Sequence, residues 1–335
     1  MEKAVDWISY GDIRMKWYGL APQEEAAVLC RMPQKVLPVM SDTVSRLAYC
    51  TSGARVRFRT NSAFLKLEAE MREGECLADR GGISGFDLYH DASGQMRFSH
   101  LFLPDPATGM IRGEYEFQQE GMKEVLIHFP LMTGIRQLRI GVEPGADLLQ
   151  PQPYCGEAPI VFYGSSITQG AHASRPGNSY PLILSRWLNT DIHNLGFGGG
   201  ARGERQMADY IAGLKMCCFV LDYDHNAPSP AYLEDTHYSF YHTVRQAQPT
   251  LPIILVSRPD FDLQVEDSVA RRQVIRATYD RGRKNGDNHL WLADGELLFG
   301  ERERDACTVD TCHPNDLGFM RMAEALYPLF KQALA

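Results

Sequence analysis

No basic block runs through this chain. Lysine and arginine number 34 against 42 aspartates and glutamates, and the net charge is −8. A surface of that sign repels phosphate backbones and anionic bilayers, so neither nucleic acid nor membrane is an expected partner. No stretch of about 18 apolar residues occurs either, which excludes a bilayer-spanning helix. The opening residues, Met1-Glu2-Lys3-Ala4-Val5-Asp6-Trp7, lead into no apolar run, so no secretory signal is visible. The expectation is a cytoplasmic protein, though a leader already removed would leave the same residues.

Cys-x-x-Cys spacing is also missing. The eight cysteines, Cys30, Cys50, Cys76, Cys155, Cys217, Cys218, Cys307 and Cys312, are scattered along 335 residues. That scatter suits reduced thiols better than a disulfide framework. Cys307, Asp310, Cys312 and His313 lie close together, but their spacing matches no common structural zinc pattern, so no metal is expected.

What is present is enough chain for two domains. Residues from about 36 to 143 read as short strands. Arg55–Thr60, Phe64–Glu70, Glu124–Phe129 and Gln137–Val142 alternate polar and apolar side chains, the pattern of antiparallel strands with one buried face. Glycines and prolines punctuate them, which points to a β-sandwich. A Pro/Gly/Gln-rich stretch from Pro144 to Pro159 reads as the linker. The expected division is a sandwich domain over 1–150 and a second domain over 151–335.

From Ile160 the texture changes to strand, loop, helix. Apolar runs at Ile160–Tyr163, Asp191–Leu195, Cys218–Leu221, Pro252–Ser257 and Leu290–Ala293 read as strands. Tyr180–Leu188, Gln206–Leu214, Tyr238–Gln248, Val265–Asn285 and Leu317–Ala335 read as helices. The alternation predicts a parallel sheet covered on both faces, with its site at the carboxyl ends of the strands.

Four segments at those ends carry candidate chemistry. Gly164-Ser165-Ser166-Ile167-Thr168-Gln169-Gly170 follows the first strand and opens a helix, where free amides favour developing negative charge. Asp310-Thr311-Cys312-His313 precedes the last helix, and an Asp three residues before a His can fix its tautomer. Asn315 or Asp316 would cap that helix. Asn194-Leu195-Gly196-Phe197-Gly198-Gly199-Gly200 lets backbone amides approach a ligand. Asp222-Tyr223-Asp224-His225-Asn226 places an amide side chain after the third strand.

Together these four segments resemble the SGNH/GDSL hydrolases, named for Ser, Gly, Asn and His in four successive blocks. Gly85-Phe86-Asp87-Leu88-Tyr89 is similar to the Gly-x-Asp-Leu-Tyr signature of a sandwich domain found before some of them, and Arg31-Met32-Pro33, Leu47–Ser62 and Ser174-Arg175-Pro176-Gly177 are similar to the same group. The resemblance implies a flavodoxin-like α/β hydrolase domain after a jelly-roll-like antiparallel sandwich. It implies a serine esterase with Ser166 as nucleophile, His313 as base and Asp310 orienting it. The oxyanion hole would be Ser166, Gly199 (with Gly198 as the alternative) and Asn226. Two departures stand out: Ser165 occupies a position where the family often has Asp, and the asparagine block lacks Gly-x-Asn-Asp. No cofactor is implied. The expected substrate is a small-molecule or carbohydrate acyl ester, preferably an acetyl ester, with His172 and Arg175 as candidate contacts to its alcohol part. A lipase- or thioesterase-type acylhydrolase is the alternative on the same site, and a homo-oligomer is left open.

Two readings of other classes compete. Gly196-Phe197-Gly198-Gly199-Gly200-Ala201 fits a dinucleotide fingerprint, with Asp222 as the ribose-binding acid of an oxidoreductase. It leaves Ser166, Asp310 and His313 without a role. A non-catalytic carbohydrate-binding protein is the other, and the intact Ser166, Asp310 and His313 argue against it.

Overall fold

The computed structural model describes residues 3–21, 29–72, 81–92 and 95–335; Cys76 lies outside them. Two compact units divide the chain. The first comprises Met1–Pro33, Tyr49–Tyr154 and Ser174–Gly177, the second Gln34–Ala48, Cys155–Ala173 and Asn178–Ala335.

The first unit is an antiparallel sandwich. One sheet has the order Asp6–Ser9, Ile135–Val142, Phe64–Met71, Met110–Glu116. The other runs Leu148–Leu149, Arg55–Thr60, Lys123–His128, Phe86–Ala92, Gln95–Phe102, with Lys16–Tyr18 also paired to Arg55–Thr60. Alternation explains Phe64–Met71: Leu65, Leu67 and Ala69 enter a core shared with Val56, Phe58, Val125, Ile127 and Ile140, while Lys66, Glu68 and Glu70 lie on the opposite face. Asp6–Ser9 and Lys16–Tyr18 precede the region that alternation marks. Arg55–Thr60 departs from the pattern, because both of its faces are covered. Arg55 is fully buried, donating to the Tyr154 hydroxyl at 2.8 Å, and Arg57 donates to Glu124 at 2.8 Å beneath the Tyr154 ring. Aromatic faces and a carboxylate take up the two guanidinium groups that alternation would leave to water, with Arg57 Nη1 left without a hydrogen-bond partner among the described residues.

Asp87, on the strand Phe86–Ala92, is buried and holds His128, Gly177 and Arg175. One oxygen lies 2.7 Å from His128 Nδ1; the other accepts from the Gly177 amide at 2.7 Å and from Arg175 at 3.4 Å. Ser174–Gly177 is thereby part of this unit.

The second unit carries a five-stranded parallel sheet in the order Ile192–Gly196, Ile160–Gly164, Cys218–Asp222, Ile253–Val256, Leu290–Ala293. Numbered along the chain this is 2-1-3-4-5, the flavodoxin-like order. Every residue of Ile160–Gly164, Cys218–Asp222 and Ile253–Val256 is buried, which is why these strands read as unbroken apolar runs. The helices are Tyr180–Leu188, Arg205–Ala212, Pro230–Ala247, Val265–Lys284 and Asp316–Ala333. Pro230–Ala247 begins eight residues before the expected start at Tyr238. Ser229 caps it by accepting from the Tyr232 amide at 3.2 Å, and Pro230 supplies a first turn that needs no N–H. Asn315 rather than Asp316 caps the last helix, accepting from Gly318 at 3.1 Å.

Candidate active site

Strand order reverses on either side of Ile160–Gly164, and such a reversal opens a crevice at the carboxyl end. Ser166 sits there as the first residue of the short helix Ser166–Gln169. The preceding Ser165 is the helix cap, its hydroxyl accepting from the Ile167 amide at 3.1 Å. That cap accounts for Ser at 165: an N-cap needs a short side chain carrying an acceptor oxygen, and Ser fills the position as Asp does.

The structure joins Ser166 to a residue 147 positions away. Ser166 Oγ lies 2.8 Å from His313 Nε2, and His313 Nδ1 lies 2.7 Å from Asp310 Oδ2. The other Asp310 oxygen accepts from the backbone amides of Cys312 at 3.1 Å and His313 at 2.7 Å. Burial pushes the Asp310 carboxyl upward, but the bonds from the His313 amide and ring and the Cys312 amide outweigh it and hold the group below its ordinary value. An ionised Asp310 can only accept, so His313 Nδ1 carries the proton and Nε2 presents a lone pair to Ser166. The loop that achieves this places Thr311 at φ 69°, an uncommon conformation for a β-branched residue. It is closed by the bond from the Val309 amide to the His313 carbonyl at 3.0 Å.

The glycine block lies alongside. A Cβ at Gly198 would sit 3.2 Å from Ser166 Cβ, whereas one at Gly199 would meet nothing within 4 Å. Gly198 is therefore the glycine that packs against Ser166. Its amide donates to Gln169 Oε1 at 3.0 Å, and the Gly199 amide donates to Asn226 Oδ1 at 3.1 Å. Asn226 Nδ2 donates to the Phe197 carbonyl at 2.9 Å. The structure thus brings Gly199 and Asn226 together on the turn beside Ser166. A Cβ at Gly200 would lie 3.0 Å from Thr43 Cγ2, so the missing side chain there admits the segment Gln34–Ala48.

His172 and Arg175 differ in surroundings. The His172 ring, at φ 70°, stands 5.1 Å from the His313 ring. The Arg175 guanidinium is committed to Asp87 and the Tyr89 hydroxyl, and lies 4.0 Å over the Phe98 ring.

Beneath the site lie groups to which the esterase reading gave no role. Gln169 and Asn194 brace the two loops: Asn194 donates to the Thr168 carbonyl at 2.7 Å and accepts from Gly196 at 2.8 Å. Both residues stand in the quoted motifs, but only their side-chain directions reveal the bracing. Asp222 is 2% exposed and accepts from Thr168 at 2.9 Å and Tyr180 at 2.8 Å. Burial, with Asp224 nearby, pushes its carboxyl up to about 7. An acid so enclosed cannot reach a ribose, so the dinucleotide reading fails on this geometry.

The family model described as GDSL-like lipase/acylhydrolase matches residues 157–331, more than half of the chain. The protein belongs to that family. Residues 5–148 of this acylhydrolase also match the GxDLY domain, the N-terminus of SGNH-hydrolase-type esterases. A structure described as a GDSL-like lipase, from Bacteroides ovatus, has 28% identity and a TM-score of 0.87 over 99% of this chain and 98% of its own. A salicylyl-acyltransferase from a tetracycline biosynthetic pathway has 20% identity and a TM-score of 0.81, with both chains covered completely. An acetyl xylan esterase from Butyrivibrio proteoclasticus has 12% identity and a TM-score of 0.59 over 99% of each chain. The last two likenesses are of fold. No curated protein matches the chain. The acylhydrolase is a hydrolytic esterase with the SGNH-type α/β fold and, N-terminal to it in the chain, antiparallel β-sheets.

Proposed function

We propose that this acylhydrolase is a serine esterase that removes a small acyl group, acetyl in preference, from a carbohydrate. The observation that carries the reading is the unbroken hydrogen-bonded chain Ser166–His313–Asp310. His313 Nε2 takes the Ser166 proton as Oγ attacks the ester carbonyl. Asp310 holds the imidazole in the required tautomer and stabilises the imidazolium. Negative charge on the former carbonyl oxygen is met by the Ser166 amide and by the Asn226 Nδ2 hydrogen not given to Phe197. The Gly199 amide joins them when it exchanges Asn226 Oδ1 for the substrate oxygen. Each such donor is worth about 2.7–4 kcal/mol of transition-state stabilisation. His313 returns the proton to the departing alcohol, then deprotonates the water that cleaves the acyl-enzyme. No step written this way calls for a metal or an organic cofactor.

Support for the acyl length and the alcohol part is analogy: the acetyl xylan esterase shares the two-part fold. His172, beside His313, is the candidate contact to the alcohol, whereas Arg175 is held by Asp87 and Tyr89. The test is a panel of p-nitrophenyl esters of rising acyl length with acetylated sugars, and Ser166→Ala as control. Acetyl preference that vanishes in Ser166→Ala is the expected result. Wild-type-like turnover in that variant would end the proposal, and a preference for long acyl chains would move the reading to a lipase.

A further inference from the structure

Asp224–Asn226 is a short turn at the end of the strand Cys218–Asp222, and its residues look in different directions. Asn226 clamps the glycine turn beside Ser166. Asp224 is buried, accepts from the Arg258 amide at 3.0 Å, and its carbonyl accepts from Arg271 at 2.5 Å. Between them, the His225 side chain is 7% exposed. Its Nδ1 lies 3.7 Å from the thiol of Cys312, the residue before His313, and its Nε2 lies 3.5 Å from Asp260 Oδ1.

We propose that His225 is a positioning residue for the reaction: it accepts the Cys312 S–H at Nδ1 and so ties the loop that carries His313 to the turn that carries Asn226. The inference rests on the serine-esterase reading given above.

The tautomer follows from the neighbours. Arg258 grips both Asp260 oxygens, at 2.7 and 2.6 Å, and a carboxylate paired in this way is ionised and can only accept. Nε2 makes no hydrogen bond among the described residues, but the charge of Asp260 at 3.5 Å favours the proton on that side of the His225 ring, which leaves Nδ1 as an acceptor toward sulfur. Burial keeps both partners neutral, lowering the His225 imidazole to about 4 and raising the Cys312 thiol to about 11. Behind His225 the frame is rigid: Asp267 bridges Arg258 and Arg271, each at 2.6 Å, and Arg271 also reaches the Ala227 carbonyl at 2.9 Å.

A metal ion held by His225, Asp260 and Cys312 is the competing use of these groups. The thiol and the carboxylate lie nearest to opposite nitrogens of the ring, and Arg258 already occupies both oxygens of Asp260. A cation there would stand beside the Arg258 guanidinium and be repelled by its charge.

The experiment compares kcat and KM for p-nitrophenyl acetate in His225→Phe, His225→Asn, Cys312→Ala, Cys312→Ser and the His225→Phe/Cys312→Ala double variant. A displaced general base lowers kcat about 10- to 100-fold, with KM within about twofold. That is the result expected for His225→Phe and for Cys312→Ala, which removes only a sulfur atom. The double variant should be no worse than the poorer single one, since both break the same link. His225→Asn, which keeps an acceptor, and Cys312→Ser, which keeps a donor, should recover most of the loss. Additive losses, unchanged kcat in Cys312→Ala, or a change confined to KM would each overturn the inference. Ser166→Ala run in parallel separates the two readings, because turnover that survives in it would refute the catalytic assignment itself.

Discussion

Removing the charge of Asp222 should stabilise the second unit in alkaline solution and do little in acid. Its carboxyl is 2% exposed and rises from an ordinary 3.8 to about 7, through burial first and the field of Asp224 second. A raised carboxyl pKa means that the folded chain holds a proton which the unfolded chain has released. Stability therefore falls as pH climbs from about 4 to about 7, and the loss is complete above that window. At about 1.4 kcal/mol for each tenfold change in proton affinity, keeping Asp222 ionised at pH 8 costs roughly 4 kcal/mol. Asparagine keeps an oxygen to accept from Thr168 and Tyr180 and carries no charge to desolvate. Urea unfolding of wild type and Asp222→Asn at pH 4, 6 and 8 measures the difference directly. The expected advantage of the variant is roughly 4 kcal/mol at pH 8 and close to zero at pH 4. A difference that stays the same at all three pH values would refute the argument, because it would show that the cost does not arise from ionisation.

Three further outcomes are expected. Asp310→Asn should lower kcat by about 10³–10⁴-fold with far-UV dichroism unchanged, since the amide favours the wrong imidazole tautomer. Gly196→Ala should cost at least about 1–3 kcal/mol in urea unfolding, because its Cβ would stand 2.3 Å from the Gln169 backbone nitrogen. Gly286→Ala, where a Cβ meets nothing within 4 Å, is the control that carries only the strain of its φ of +88°. Asp87→Ala should destabilise by about 3–5 kcal/mol, because it deprives a buried imidazole, the Gly177 amide and Arg175 of one shared acceptor. Thermal unfolding measures that loss.

The sequence showed the parallel sheet most clearly, because a strand buried on both faces has no polar positions to blur it: the apolar run Cys218–Leu221 lies wholly within the fully buried strand Cys218–Asp222. Arg55–Thr60 showed its extent but not its burial, since the Tyr154 ring that covers Arg57 stands far along the chain. The segment Gln34–Ala48 reads as the start of the sandwich, yet it folds with the second unit, where Thr43 stands against Gly200, a meeting that sequence patterning does not register. Within the site, the pairing of Asp310 with His313 was legible because three residues separate them. The meeting of Ser166 with His313 was legible only through the family resemblance, because spacing says nothing across 147 positions. That Gly198 rather than Gly199 packs against Ser166 is read from the direction of an absent Cβ, which residue type alone does not specify.

The order of segments along the chain runs first unit, second, first, second, first, second, so the backbone passes from one to the other five times. No single cut can then release either unit whole. A fragment starting at Cys155 would lack the helix Asp42–Leu47 and leave Gly200 without Thr43 against it. One ending at Tyr154 would leave Asp87 without Gly177 or Arg175. Expressing the acylhydrolase half by itself would accordingly yield an incomplete unit, and swapping the sandwich for that of a relative would have to bring Ser174–Gly177 with it and leave Gln34–Ala48 in place.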